Sequence, residues 1–148
     1  MKYLSVIFEH AFLLVPFVLL LEAYSFYRIY RNSRELLPEE IDATLIYSEQ
    51  AGGRLDCFNL THPFVRISCY HDFLVIRYMN KKMILRRGDV INIEKKGFVS
   101  NGLSFKHNRD DLPVEICIWP KRREKLVNAI QQSLDLPDEV IEYKKKPD

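Results

Sequence analysis

The side chains of this chain that could do covalent, acid–base or metal chemistry are four histidines, three cysteines and scattered carboxylates, and their spacing supports none of the three. His10, His62, His71 and His107 stand far apart, with Asp72 and Asp110 as the acidic groups nearest to hand for an acid–base pair or a ligand set. Zinc and redox sites draw on short C-x-x-C or H-x-x-x-H spacings, and Cys57, Cys69 and Cys117 provide neither. An odd, unclustered set of this kind reads as free thiols of a reducing compartment, and Cys69, in an alternating apolar row, reads as a small core residue. No Gly-rich phosphate loop, G-x-S-x-G elbow or H-E-x-x-H helix occurs. The expectation is therefore of no enzyme, no metal and no cofactor. The competing expectation is a small enzyme or ligand-binding domain whose polar mouth would lie near His62, His71 or His107.

The cations are the richer signal. Arg28, Arg31 and Arg34 recur at three-residue spacing, and Lys81, Lys82, Arg86, Arg87, Lys121, Arg122 and Arg123 fall where turns, strand ends and a helix start are expected. On one face turned toward anionic lipid, each would contribute about 1 kcal/mol of attraction. The competing reading is a solvated mixed surface, because Glu94, Asp110, Asp111, Glu115 and Glu124 are interspersed. A net charge of +2 argues against nucleic acid as a partner.

These groups need elements to carry them. The N-terminal organiser is the unbroken apolar run AFLLVPFVLLL, Ala11 to Leu21. Widened to Tyr3–Tyr27 it reaches spanning length, with Glu9, His10 and Glu22 toward its ends. Tyr24, Tyr27 and Tyr30 sit where interfacial aromatics belong, and the three arginines predict a cytoplasmic C-terminal side. The expectation is a single-pass inner-membrane helix, N-terminus outside, contacting the bilayer through residues 1–27. Pro16, costly in a helix interior in water, is tolerated more easily in such a helix. A helix packed on the adjoining domain, or helices packed together in a soluble oligomer, are the alternatives.

The chain then divides into 1–37 (anchor and juxtamembrane extension), 38–135 (one domain) and 136–148 (a tail, its lysines disordered). Pro38 ends the first helix or starts a new turn. Residues 43–48 read as a first strand, Gly52-Gly53 as its hairpin turn, and His62-Pro63 as a break. Period-two alternation in Phe64–His71 and Phe73–Met79 predicts two strands joined by a tight turn at His71-Asp72. Met83–Arg86, Val90–Lys95 (Ile91 and Ile93 inward), Leu103–His107 and Val114–Trp119 (Val114, Ile116 and Ile118 inward) complete a run of short strands. Pro120 suits the first turn of a helix, and Leu126, Val127, Ile130 and Leu134 form its apolar stripe.

Phe73-Leu-Val-Ile-Arg77, Ile84-Leu85, Gly88-Asp89-Val90-Ile91, Gly102-Leu103-Ser104-Phe105 and Ile116-Cys-Ile-Trp-Pro120, in this order and ahead of one amphipathic helix, resemble the bacterial pleckstrin-homology-like (PH-like) domains found beside membrane segments. The resemblance covers roughly Ala43 to Leu134. It implies an α+β chain: an N-terminal transmembrane helix, then a PH-like antiparallel β-barrel or roll closed by a C-terminal amphipathic helix. In place of a basic phosphoinositide signature between the first two strands the chain offers Arg54 alone. The function implied is a binding or scaffolding module that recruits a protein partner, self-associates, or contacts anionic lipid.

Overall fold

A computed structural model describes residues 2–96 and 102–143 of the chain, with side chains described from residue 14 to residue 142. The alternation in residues 64–79 becomes two paired antiparallel strands, β2 (Phe58–Tyr70) and β3 (Phe73–Tyr78), joined at His71-Asp72 as expected. Around them lie β1 (Leu45–Leu55), β4 (Lys81–Arg86), β5 (Val90–Lys95), β6 (Leu103–His107), β7 (Ile116–Trp119) and β8 (Ile141–Tyr143). The eight form one sheet in the order β4-β3-β2-β1-β7-β6-β5-β8, antiparallel except for the β5–β8 pair. Among the described residues three α-helices accompany it: α1 (Lys2–Arg34), α2 (Pro38–Ile41) and α3 (Arg123–Leu134).

One face of the sheet holds the main core. Val65, Ile67, Leu74, Ile76, Ile116 and Ile118 are fully buried there, and α3 closes over them with Leu126, Val127, Ile130 and Leu134. Each large aliphatic side chain removed from water contributes about 1.5–3 kcal/mol. Asp135 ends α3 in the left-handed conformation, φ 47°, its N–H donating to the carbonyl of Gln131. Ser133 fastens α3 to the β2–β3 turn by donating to the carbonyls of Tyr70 and Phe73. On the opposite face of β2–β4, Leu37, Tyr70 and Val75 form a second, smaller cluster with Ala43, Phe73 and Ile84. Residues 65–70 are thus buried on both sides of the strand.

Several expectations are corrected. Among the described residues no helix is long and apolar enough to cross a membrane. The unbroken apolar run covers only Ala11 to Leu21, where about 20 residues are needed, and Glu22, Ser25, Arg28, Arg31 and Arg34 interrupt the helix beyond it. The transmembrane helix and the single-pass inner-membrane placement are not supported. Nor does the sheet close into a barrel: β4 and β8 are its two free ends.

Gly52-Gly53 is not a turn. β1 runs through it to a turn at Asp56-Cys57, and β2 runs through His62-Pro63. The glycines are needed for close approach, since β1 pairs with β7 over Gly52–Leu55 while still pairing with β2. A Cβ on Gly53 would lie 2.9 Å from the Cys117 carbonyl oxygen, and one on Gly52 2.9 Å from that of Leu60. Val114 is 91% exposed because β7 starts only at Ile116. A register shift in β5 turns Ile91 outward and seats Val90 and Ile93 in the core. The C-terminal helix begins at Arg123, later than Pro120. The lysines of the tail, Lys144 to Lys146, lie outside the described residues.

Candidate interaction surface

The histidines do not converge. His62 and His71 are exposed, and His71 pairs locally with Asp72 at 3.0 Å, a contact that raises its pKa. His107 is held by the backbone, its Nε2 at 2.8 Å from the Pro113 carbonyl and its Nδ1 accepting from the Arg109 N–H. No cluster of three metal-ligating side chains occurs among the described residues. Burial pushes the Cys69 thiol up to about 12, so it is an inert core thiol.

The cations are dispersed over several surfaces. Arg87 pairs with Asp135 beyond the C-terminal end of α3, whereas Lys121, Arg122 and Arg123 stand at its N-terminal end. Twelve residues of helix separate the two groups by about 18 Å. Lys82 and Arg86 lie on β4 along a shallow cleft completed by Glu39, Ile84, Asp89, Arg109, Asp111 and Leu112. Lys82 faces Glu39 at 3.6 Å, and Arg109 bonds Asp111 and Asp89, so the cleft has mixed charge. Lys81 lines an adjoining cleft with Asp56, Asp111 and Val114. Arg28, Arg31 and Arg34 lie on the last turns of α1, and Arg34 stands over the Tyr30 ring.

Sequence reasoning missed the polar group that mounts α1 on the sheet. Among the described residues, the C-terminal turns of α1 are what touches the domain: Phe26 packs on Phe64, Ile29 is half-buried and Ser33 is fully buried. Beneath them Arg66 of β2 and Arg77 of β3 lie directly opposite one another, both buried. Two like charges across a sheet repel, and each arginine has a separate answer. Arg66 Nη2 donates to both oxygens of Glu40, at 2.8 and 2.5 Å, and its Nη1 donates to the Arg34 carbonyl at 3.3 Å. Arg77 Nη2 donates to the Asn32 carbonyl at 2.6 Å.

The last four carbonyls of a helix have no partner within it and carry its negative end. The two guanidinium groups therefore cap α1 and draw part of their compensation from it. Glu40 is saturated: besides Arg66 it accepts from the Tyr70 hydroxyl at 2.8 Å and from the Leu37 N–H at 2.7 Å. Burial, reinforced by that bond to Glu40, pushes the Tyr70 hydroxyl up to about 12. The only signal in the sequence was an arginine at an alternating position in each of two strands, with an acidic pair after Pro38.

Above this mount α1 leaves the sheet. Ten large apolar side chains between Leu14 and Tyr27 are 49–69% exposed, among them Tyr24 and Tyr27. Consecutive residues step about 100° around a helix, so the run Phe17–Leu21 is apolar on every side. Glu22 is the one charged residue from Leu14 to Tyr27. Compared with protein-family models, curated proteins and solved structures, the chain matches none.

Proposed function

We propose that this chain is a binding or scaffolding module, in which a PH-like sheet-and-helix domain holds α1 out to recruit a protein partner. The observation that carries this reading is the contrast within one helix: its last turns are fixed to the sheet through buried Arg66, Arg77 and Glu40, while its apolar stretch has no cover from the described residues of its own chain. The filled core supports a role for the surface over one for the interior, since Val65, Ile67, Leu74, Ile76, Ile116 and Ile118 leave no room between them for a substrate.

A photo-crosslinking amino acid placed at Leu20, the most exposed of the described α1 apolar positions, tests the reading in cells. The expected result is a discrete protein adduct at Leu20 that is lost when Phe17 and Leu21 are replaced by Glu. The same probe at Val114, more exposed but on the domain, gives none. Lipid adducts alone, or equal labelling at both positions, would refute it.

A further inference from the structure

We infer that the partner seated on α1 is α1 of another copy of this chain, packed antiparallel. The inference rests on the reading of α1 as a recruiting element and adds the identity of what it recruits. Size is the first argument. A half-exposed Leu, Phe or Tyr presents about 100 Å², so the ten side chains together present on the order of 1,000 Å². The largest apolar patch on a typical monomer is about 300–600 Å², and a standard interface takes about 800 Å² from each partner. The patch is thus the size of one half of a stable interface.

Chemistry is the second argument. A helix lying in a groove of an unrelated protein hides one stripe, whereas this one is apolar all round and needs apolar neighbours on more than one side. A second copy covers one side and further copies the others, each supplying a surface of the same length and the same lack of charge, in fixed stoichiometry and with closed symmetry. The helix itself demands such cover. Pro16 costs about 3 kcal/mol in a helix interior, and no ion pair is found along Leu14–Tyr27 among the described residues. Helices in water are held chiefly by packing.

Charge sets the orientation. Parallel packing would bring together Arg28, Arg31 and Arg34 of both copies and crowd two folded domains at one end. Antiparallel packing of the two Leu14–Tyr27 stretches places these clusters at opposite ends of the paired segment, about 30 Å apart from Arg31 to Arg31, and opposes the two macrodipoles.

The test is the molar mass of the full chain in aqueous buffer by light scattering at micromolar concentration, alongside the F17E/L21E chain. The wild type is expected at twice the chain mass or a higher multiple, and the double variant at the chain mass with an unchanged far-ultraviolet β-signature and unchanged melting of the sheet domain. Orientation is read from a spin label at Arg31→Cys in a Cys57→Ser background: antiparallel packing of Leu14–Tyr27 predicts a distance of about 30 Å, and the roughly 10 Å spacing of parallel packed helices overturns that part of the inference. A wild-type chain that is monomeric, or that is recovered only as a monomer in vesicles or detergent, overturns the self-association. A monomeric chain that still yields a foreign protein adduct at Leu20 sinks this inference and leaves the proposed function standing. A chain with neither adduct nor assembly sinks both.

Discussion

Glu40→Ala is the substitution that asks most of the mount. The Glu40 side chain is fully buried and the Arg66 side chain is 7% exposed, at 2.5 Å from it. Removing the carboxylate strands a buried guanidinium, which costs roughly 3–5 kcal/mol, because the charge stays desolvated while its partner is gone. The Tyr70 hydroxyl and the Leu37 N–H lose their acceptor in the same step, and such orphaned groups cost about 1–3 kcal/mol each where water cannot reach them. These costs overlap, so the expected total is about 4 kcal/mol, a large share of the roughly 5–15 kcal/mol that holds a domain folded. The assay is urea and thermal unfolding of the full chain, monitored by fluorescence of Trp119, the one tryptophan. At about 4–8 °C per kcal/mol for a domain near this size, Tm should fall by roughly 15 °C or more. Glu40→Gln keeps acceptor capacity and should cost about half as much. The decisive variant is Glu40→Ala with Arg66→Met, which removes both charges and should regain at least about 2 kcal/mol over Glu40→Ala alone. A loss below about 1 kcal/mol for Glu40→Ala, or a double variant no more stable than the single, would refute the argument.

The same sheet supplies two further predictions. Gly53→Ala should destabilise the domain by about 1–3 kcal/mol in the same urea assay, since the new Cβ meets backbone at 2.9 Å and ring or rotamer motion cannot relieve it. In alkali, Tyr47 and Tyr70 each rise from 10.0 to about 12 and Cys69 rises from 9.0 to about 12. A raised folded pKa means that the folded state holds its proton longer, so this stability is full below pH 9 and is lost as pH climbs from 9 through 12. Urea midpoints measured across that window should fall progressively, and Tyr70→Phe should flatten part of the decline.

What could be read from the sequence was what local periodicity writes down. Residues 64–79 announced two strands because Val65, Ile67, Leu74 and Ile76 alternate with polar neighbours, and α3 announced itself through Leu126, Val127, Ile130 and Leu134. Where tertiary contact decides, the reading failed. Gly52-Gly53 looks like a turn in isolation, yet its cause is β7 crossing close by, a strand more than sixty residues downstream. Ile91 and Val114 are apolar but exposed, because a register shift and a late strand start are invisible to a hydropathy pattern. Arg66 and Arg77 sit at positions that alternation marks as solvent-facing, and only the return of α1 and α2 over that face buries them. The apolar run of α1 was plain in the sequence, but its interruptions after Leu21 kept it from the length a membrane span needs.

The anchorage of α1 at Arg66 and Arg77 also makes the helix a lever. From Ser33 at the sheet back to Leu14 is about 30 Å at 1.5 Å per residue. Each degree of tilt at the pivot therefore sweeps Leu14 sideways through about 0.5 Å, and ten degrees moves it by about 5 Å, half the roughly 10 Å between the axes of packed helices. A sideways displacement of that size lifts the apolar stretch off a neighbour on one side or drives it into one on the other. How firmly two guanidinium groups and one carboxylate hold the pivot thus bears on contacts made some 30 Å away.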